Sequence, residues 1–207
     1  LEVAAMTVRA LDLHSSDRVI GVTAFFHVFG LGPGILGCVL SGSSLILQSG
    51  FGAAETLALV QRHRATVLYG LPTVFTTALH ERRAAPLDLS SLRVALVAGG
   101  PVSDELIRAV EREICPDFRV AYSLTELASV VSMTSPQDPP AKRCQTVGLP
   151  LPGLEILVLD NEGGPLPVES LGEIAVRGPG VMKGYYRQPQ ETRRAIRDDG
   201  YLLTGDM

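Results

Sequence analysis

A ring, a hydroxyl and a carboxylate follow one another closely in the segment Tyr122-Ser123-Leu124-Thr125-Glu126, directly after an apolar run. The aromatic ring can stack on a base, the hydroxyl can donate to a phosphate oxygen, and the carboxylate is a hard ligand for a hard cation. These are the groups that a nucleoside triphosphate and its magnesium ion need. The same residue types are also common in turns and helix caps, so the segment alone leaves both interpretations open.

The elements that must position this segment alternate along the first part of the chain. Short β-branched runs predict strands over residues 18–23, 44–47, 66–69, 93–97 and 119–122. Stretches with helical periodicity and helix-start signals separate them, over residues 53–63, 72–81 and 103–113. Strands separated by helices of this length need crossover connections, so we expect an α/β fold with a mainly parallel sheet flanked by helices.

The pattern changes near Ser135, where a proline-rich loop covers residues 135–140. Beyond it, residues 154–159 and 172–177 are predicted strands with no long helix between them, which indicates an antiparallel arrangement. Residues 189–197 are predicted to form a short charged helix with a solvated face. We therefore expect an α/β subdomain over residues 1–143, followed by a smaller β-rich subdomain over residues 144–207.

The most apolar stretch, residues 31–47, is short for a membrane span and is interrupted by glycine, serine and proline. We predict a buried helix, a turn and a strand there, and no transmembrane segment. No charged and then apolar signal opens the chain, and no initiator methionine is present. The first residue is therefore expected to lie inside a longer protein.

The composition narrows the function classes. The net charge is −4, and the sequence has no cluster of basic and aromatic residues, so we do not expect it to bind nucleic acid. Three widely spaced cysteines disfavour a disulfide framework and a structural zinc site, and fit a reducing cytoplasm. Charged residues make up only 19% of the chain, so we expect some apolar surface to be covered by another segment or by a second copy in a homodimer.

Ligands of open α/β sheets bind beyond the carboxyl ends of the strands. Three predicted strands end there in notable segments: Phe26-His27, Gly99-Gly100-Pro101 and Tyr122 to Glu126. With Thr204-Gly205-Asp206, and with residues 146–153 and 172–178, they form an ordered series. This series resembles the adenylate-forming superfamily of acyl-CoA synthetases, firefly luciferase and nonribosomal-peptide adenylation domains, and is most similar to the fatty-acid CoA ligases.

The resemblance assigns a role to each segment at the nucleotide. It implies that Tyr122 stacks on adenine, that Thr125 contacts the α-phosphate, and that Glu126 binds the magnesium ion, which makes Thr125 and Glu126 the catalytic residues. Asp206 would accept hydrogen bonds from both ribose hydroxyls. The remaining residues implied to line the nucleotide site are Gly99, Gly100, Pro101, Ala121 and Ser123.

The resemblance also places the acyl substrate beside Phe26, His27 and Gly100. For His27, a hydrogen-bonded histidine in the core is an equally good interpretation. Two residues depart from the family pattern. Ser123 stands where most members have glycine, which would narrow the pocket, and Leu203 stands where a basic residue usually precedes Thr-Gly-Asp.

The activity that the resemblance implies is ATP-dependent acid–CoA ligation, in which a carboxylate and ATP give acyl-AMP and pyrophosphate, and coenzyme A then gives acyl-CoA. ATP, Mg2+ and coenzyme A would be used, and a fatty acid is the expected substrate because residues 25–30 are apolar apart from His27. The alternatives are an amino-acid or aryl-acid adenylation domain and a non-catalytic nucleotide-binding module.

Two lysine-bearing parts of the family have no match in this sequence. One is the Ser/Thr/Gly-rich loop whose lysine holds the β- and γ-phosphates, and the other is the small C-terminal domain whose lysine completes adenylation. We therefore expect the chain to be a central fragment that is inactive alone.

Overall fold

Two β-sheets organise the computed structural model, which describes residues 1–207. The larger sheet has seven strands: β1 (Arg18–Gly21), β2 (Ser44–Leu47), β3 (Val67–Gly70), β4 (Val94–Val97), β5 (Phe118–Leu124), β6 (Ser129–Met133) and β7 (Leu149–Pro150). Their spatial order is β2-β1-β3-β4-β5-β6-β7. Strands β1 to β5 are parallel, and β6 and β7 continue the sheet in antiparallel pairing. The mainly parallel α/β sheet predicted from the sequence is confirmed.

Helices cover both faces of this sheet. They are α1 (Glu2–Ala10), a π-helix (Gly30–Leu36) that continues into α2 (Gly37–Ser41), α3 (Ala53–His63), α4 (Pro72–Ala84) and α5 (Asp104–Glu113). Helix α6 (Pro140–Gln145) packs beside α5, and α7 (Pro189–Ala195) packs against a strand of the second sheet described below. Helices α1 and α2 share one hydrophobic core with the sheet, whereas α3, α4 and α5 share the other. No helix is both long and apolar enough to cross a lipid bilayer.

Strand β4 shows why a continuous apolar run in the sequence predicts a buried parallel strand. All four of its residues are fully buried, with Val94 and Leu96 in one core and Ala95 and Val97 in the other. A parallel strand covered on both faces reads as a continuous apolar run, because neither side chain direction meets water. This burial fixes the strand whose carboxyl end opens into the cleft described below.

A buried ion pair holds the opposite end of the sheet. The Asp17 carboxylate, fully buried before β1, accepts from Arg93 Nε at 2.8 Å and from Thr66 Oγ1 at 2.6 Å. Arg93, before β4, also donates to the carbonyl oxygens of Leu11 and Asp12 after α1. One carboxylate and one guanidinium therefore join the starts of three strands to the end of α1.

A second, smaller sheet lies beyond the first. It is antiparallel in the order β10-β9-β8, with β8 (Glu155–Leu159), β9 (Glu173–Arg177) and β10 (Leu202–Leu203). The antiparallel part predicted from the sequence is confirmed. The division of the chain at residue 143 stays a prediction, and β7, which lies beyond that residue, pairs with β6 of the larger sheet.

Several helical or extended segments differ from the sequence expectation. The stretch predicted as a buried helix forms the π-helix and α2, and Leu31, Val39 and Leu40 on it are exposed. Antiparallel pairing begins at β6, before Ser135, because the chain reverses directly after β5. Helices α1 and α6 and strands β7 and β10 had no prediction.

Candidate functional site

A cleft of about 860 Å3 opens at the carboxyl ends of β4 and β5, between the two sheets. Its walls come from residues 99–102 after β4, residues 120–123 at the end of β5, residues 144–148 between α6 and β7, and Asp206 and Met207 after β10. These segments are far apart in the sequence. The sheet topology therefore builds the cleft at the position where open α/β sheets bind ligands.

The wall after β4 depends on Gly99. Its φ of +85° lies in the left-handed region that glycine adopts without strain, and a Cβ there would approach Leu71 Cδ2 to 2.9 Å. At Gly100 a Cβ would meet Pro72 only at 3.6 Å, an ordinary contact. The first glycine is thus required by the backbone, whereas the second leaves the cleft wall free of a side chain.

Residues 120–123 at the end of β5 all contribute to the cleft wall. The pairing of β5 with β6 shifts its register between Tyr122 and Ser123, where β6 carries one extra residue, Val131. Such irregularities are common beside active sites.

The Tyr122 hydroxyl donates to Oδ2 of Asp206, so this hydrogen bond spans the two sheets. Burial raises the pKa of the Tyr122 phenol well above its ordinary value of 10, and the hydrogen bond to Asp206 raises it further. The phenol therefore stays protonated and remains a donor at neutral pH. In this state Asp206 has one oxygen engaged by protein.

The backbone around Asp206 is anchored on β9. Thr204 Oγ1 donates to the Ile174 carbonyl at 2.7 Å, and the Ile174 N–H donates to the Asp206 carbonyl at 2.8 Å. The Gly205 N–H donates to Glu173 Oε1 at 2.9 Å. The turn that ends in Asp206 is therefore fixed by the second sheet, and its carboxylate faces the first.

Thr125 and Glu126 lie in a single 3-10 turn, Thr125–Leu127, directly after β5. The Glu126 carboxylate accepts from the Tyr185 hydroxyl at 3.0 Å through Oε1. The two residues that follow the turn, Ala128 and Ser129, have φ angles of 57° and 118°. Positive φ angles are strained for residues with a Cβ, and such strain concentrates at functional sites.

A magnesium ion fits this turn only as part of a nucleotide complex. No group of three or more His, Cys, Asp or Glu side chains comes together anywhere in the chain. Magnesium is commonly bound through one or two carboxylates, with phosphates and water completing its octahedron. Glu126, with only Oε1 hydrogen-bonded, suits that arrangement and does not suit a cage made by protein alone.

The residues predicted to form the site are only partly brought together. Those that line the cleft are Gly99, Gly100, Pro101, Ala121, Tyr122, Ser123 and Asp206. Thr125 and Glu126 follow directly after β5 but do not line the cleft. Neither Phe26 nor His27 reaches the cleft wall, because they follow β1, which β3 separates from β4.

His27 has a local structural role. Its Nδ1 accepts from the Phe29 N–H at 3.2 Å, and its carbonyl accepts from the Leu31 N–H at 2.9 Å. The side chain is exposed, so it is not the hydrogen-bonded core histidine of the alternative interpretation. Phe26 beside it is 96% exposed. Both residues lie on an open surface of this chain.

Sequence reasoning did not assign two parts of the site. Residues 146–153 were counted in the ordered series but given no role, and the loop from Cys144 to Gly148 forms a whole wall. Gly148 in this loop has a φ of +75°, and a Cβ there would lie 1.9 Å from the Met133 carbonyl oxygen. Tyr185 carried no signal, because its contact with Glu126 joins residues separated by 59 positions.

Comparison with known proteins gives a consistent result. Residues 2–186 match the model of the family described as AMP-binding enzyme. The Bacillus subtilis (strain 168) protein YngI is 38% identical over 207 residues, which cover 99% of this chain and 38% of YngI. The medium-chain acyl-CoA ligase ACSF2 of Homo sapiens, a mitochondrial protein, is 34% identical over 204 residues, which cover 95% of this chain and 33% of ACSF2.

Solved structures share the fold. ATP-bound MatB from Rhodopseudomonas palustris superposes with a TM-score of 0.88 at 27% identity, covering 99% of this chain and 40% of MatB. The chain thus spans less than half the length of each of these proteins.

Proposed function

Because this chain belongs to the AMP-binding enzyme family, we propose that it forms the nucleotide-binding part of an ATP-dependent acid–CoA ligase. The proposal concerns a longer protein, called the parent protein below, since the chain spans 38% of YngI and 33% of ACSF2. The observation that carries it is the cleft in which Gly99, Tyr122 and Asp206 meet at the ends of β4, β5 and β10.

The cleft suits an adenosine moiety. The Tyr122 ring offers a face for adenine, and the backbone of Gly99 and Gly100 offers an opposing wall without side chains. A carboxylate is a forked acceptor that can take two hydroxyl donors, so Asp206 is proposed to bind the ribose. To accept from both ribose hydroxyls, Asp206 must share or release the hydrogen bond from Tyr122.

The phosphate chemistry is proposed to take place at the turn after β5. The acid's oxygen attacks the α-phosphorus, the bond to the bridging oxygen of pyrophosphate breaks, and the thiol of coenzyme A later displaces AMP from the acyl group. Thr125 donates its hydroxyl to the α-phosphate, and the Glu126 carboxylate holds Mg2+. A bound Mg2+ offsets the negative charge that develops on the phosphoryl oxygens. The protein's part is positioning and electrostatics.

A fatty acid is the proposed substrate. Residues 25–30 carry no carboxylate that could bind a substrate ammonium group, and His27 is the only polar side chain there. The name of ACSF2, a medium-chain acyl-CoA ligase, agrees with an uncharged chain.

The three free cysteines suit a reducing compartment, and we propose the cytoplasm. Self-association into a homodimer through exposed apolar residues such as Val39 and Leu47 is proposed as well.

Acid selectivity is the direct test of this function. We expect the parent protein to catalyse ATP–pyrophosphate exchange with straight-chain fatty acids and to form their CoA thioesters, because the substrate segment is apolar. The measurement is isotope exchange across a panel of fatty, aryl and amino acids, followed by thioester detection with coenzyme A. Exchange with amino acids alone would identify an adenylation domain, and exchange with no acid would favour a nucleotide-binding module.

The purified 207-residue chain is expected to show no acid-dependent release of pyrophosphate. The cleft wall contains no lysine or arginine, so nothing on it can balance the charge of the β- and γ-phosphates. The measurement is pyrophosphate release at high protein concentration, with circular dichroism to verify folding and the parent protein as positive control. Turnover by the folded chain alone would contradict this prediction.

A further inference from the structure

Glu126 is held by a segment that the sequence pattern left without a role, residues 178–192, which run from the end of β9 into the first turn of α7. We propose that Tyr185 and Thr192 are positioning residues that orient the Glu126 carboxylate for a cation. This inference rests on the proposed role of Glu126 as the magnesium ligand. It assigns a function to the start of α7, which the charge pattern alone describes as a solvated face.

The backbone of this segment packs on the Glu126 turn. The Met182 N–H donates to the Glu126 carbonyl at 2.8 Å. A Cβ on Gly180 would lie 2.9 Å from the Leu127 carbonyl oxygen, so the two chains approach too closely there for any other residue. Two backbone contacts thus hold the segment in register with the turn that carries Glu126.

The side chain of Tyr185 makes the decisive contact. Its hydroxyl donates to Glu126 Oε1 at 3.0 Å. Because it engages one carboxylate oxygen, it orients the other, Oε2, for a second partner. A metal-binding carboxylate is commonly oriented by such an outer hydrogen bond.

Thr192 fixes Tyr185 in turn. Its Oγ1 accepts from the Tyr185 N–H at 2.9 Å and donates to the Gln188 carbonyl at 2.9 Å, so the hydroxyl bridges the loop and the first turn of α7. Gly184, with a φ of +144°, brings the chain so close that a Cβ would lie 2.7 Å from Thr192 Cγ2. Thr192 therefore positions the Tyr185 backbone, and the Tyr185 hydroxyl in turn positions the Glu126 carboxylate.

The neighbouring Tyr186 supplies a matched control. Its side chain is 82% exposed, its ring lies under the Arg187 guanidinium at 5.1 Å, and it makes no hydrogen bond to the turn. Replacing Tyr186 by phenylalanine removes the same hydroxyl from the adjacent residue. A change that appears in Tyr185→Phe and not in Tyr186→Phe therefore comes from the contact with Glu126.

The test uses the parent protein and two independent readouts. Binding of Mn2+ in the presence of ATP is measured by electron paramagnetic resonance, and the Mg2+ dependence of ATP–pyrophosphate exchange is measured in parallel. Tyr185→Phe is expected to weaken Mn2+ binding and raise the half-saturating Mg2+ concentration by roughly 10-fold, with the rate at saturating Mg2+ within about 2-fold of wild type. Thr192→Val is expected to act in the same direction, and Thr192→Ser to restore wild-type behaviour.

Other outcomes would overturn the proposal. Unchanged Mn2+ binding in Tyr185→Phe would do so, as would an equal loss of rate at every Mg2+ concentration, which indicates a purely structural role. Absence of exchange in the wild-type protein would count against the proposed ligase activity, whereas the Mn2+ titration would still report on Tyr185. Melting temperatures of the variants establish that each one folds.

Discussion

Glu126→Gln in the parent protein is expected to lower acid-dependent ATP–pyrophosphate exchange by about 100-fold, since it removes the one carboxylate proposed to hold the cation against the phosphates. Glutamine retains the length of the side chain and an oxygen that can accept from Tyr185. The substitution therefore removes charge with little change in packing. The measurement is the exchange rate at saturating ATP and acid over a range of Mg2+ concentrations.

A matched carboxylate separates this effect from a change in net charge. Glu169 is exposed and lies between β8 and β9, away from the cleft, so Glu169→Gln removes one charge without touching the turn. It is expected to leave the exchange rate unchanged. Equal rates in wild type and Glu126→Gln would remove Glu126 from the reaction and leave the cleft only a nucleotide-binding role.

Asp17→Asn is expected to reduce the free energy of unfolding by about 3 kcal/mol, because it leaves the Arg93 guanidinium beside a neutral group in a largely buried place. Small domains are stable by only about 5–15 kcal/mol, so this is a large share of the total. Urea unfolding followed by circular dichroism measures the difference. The exposed pair of Asp88 and Arg64 is the control, and Asp88→Asn is expected to change stability far less.

The same carboxylate predicts a pH dependence. Burial acts to raise the Asp17 pKa, but hydrogen bonds from Arg93, Thr66 and the His14 N–H outweigh it and lower the pKa from 3.8 to about 2. Because its pKa is lowered on folding, the ionised Asp17 stabilises the fold at pH values above the ordinary pKa of 3.8. This contribution is lost as the pH falls from 3.8 toward 2. Wild type should therefore lose more stability than Asp17→Asn across this interval. Parallel losses in the two proteins would contradict the assignment.

The parts of the fold that were predictable have strong local signals. Helix α3 occupies the residues indicated by its periodicity, and β4 is a wholly apolar run because both of its faces are buried. Strand β6 was missed for an equally physical reason. The chain reverses at its start through Ala128 and Ser129, which adopt positive φ angles without the glycine or asparagine that usually mark such turns.

Site residues that lie at the ends of predicted strands could be predicted from the sequence. Whether two such residues lie close together depends on the order of the strands in the sheet, which could not be predicted. Tyr122 follows from its place at the end of β5, whereas Phe26 holds the equivalent place after β1 and lies elsewhere, since β3 stands between β1 and β4. Chain order does not reveal that arrangement. The contact of Tyr185 with Glu126 joins the loop before α7 to the end of the first sheet, and no local pattern encodes it.

The hydrogen bond from Tyr122 to Asp206 makes the cleft a point of thermodynamic linkage. It tethers β5 of one sheet to the turn after β10 of the other, and the acceptor it uses is the one proposed for ribose. A nucleotide whose ribose displaces the Tyr122 hydroxyl from Asp206 would replace this direct link between the sheets with one that runs through the ligand. Nucleotide affinity is then coupled to the motion of one sheet against the other. Any contact that restrains this motion therefore also changes how tightly the nucleotide binds.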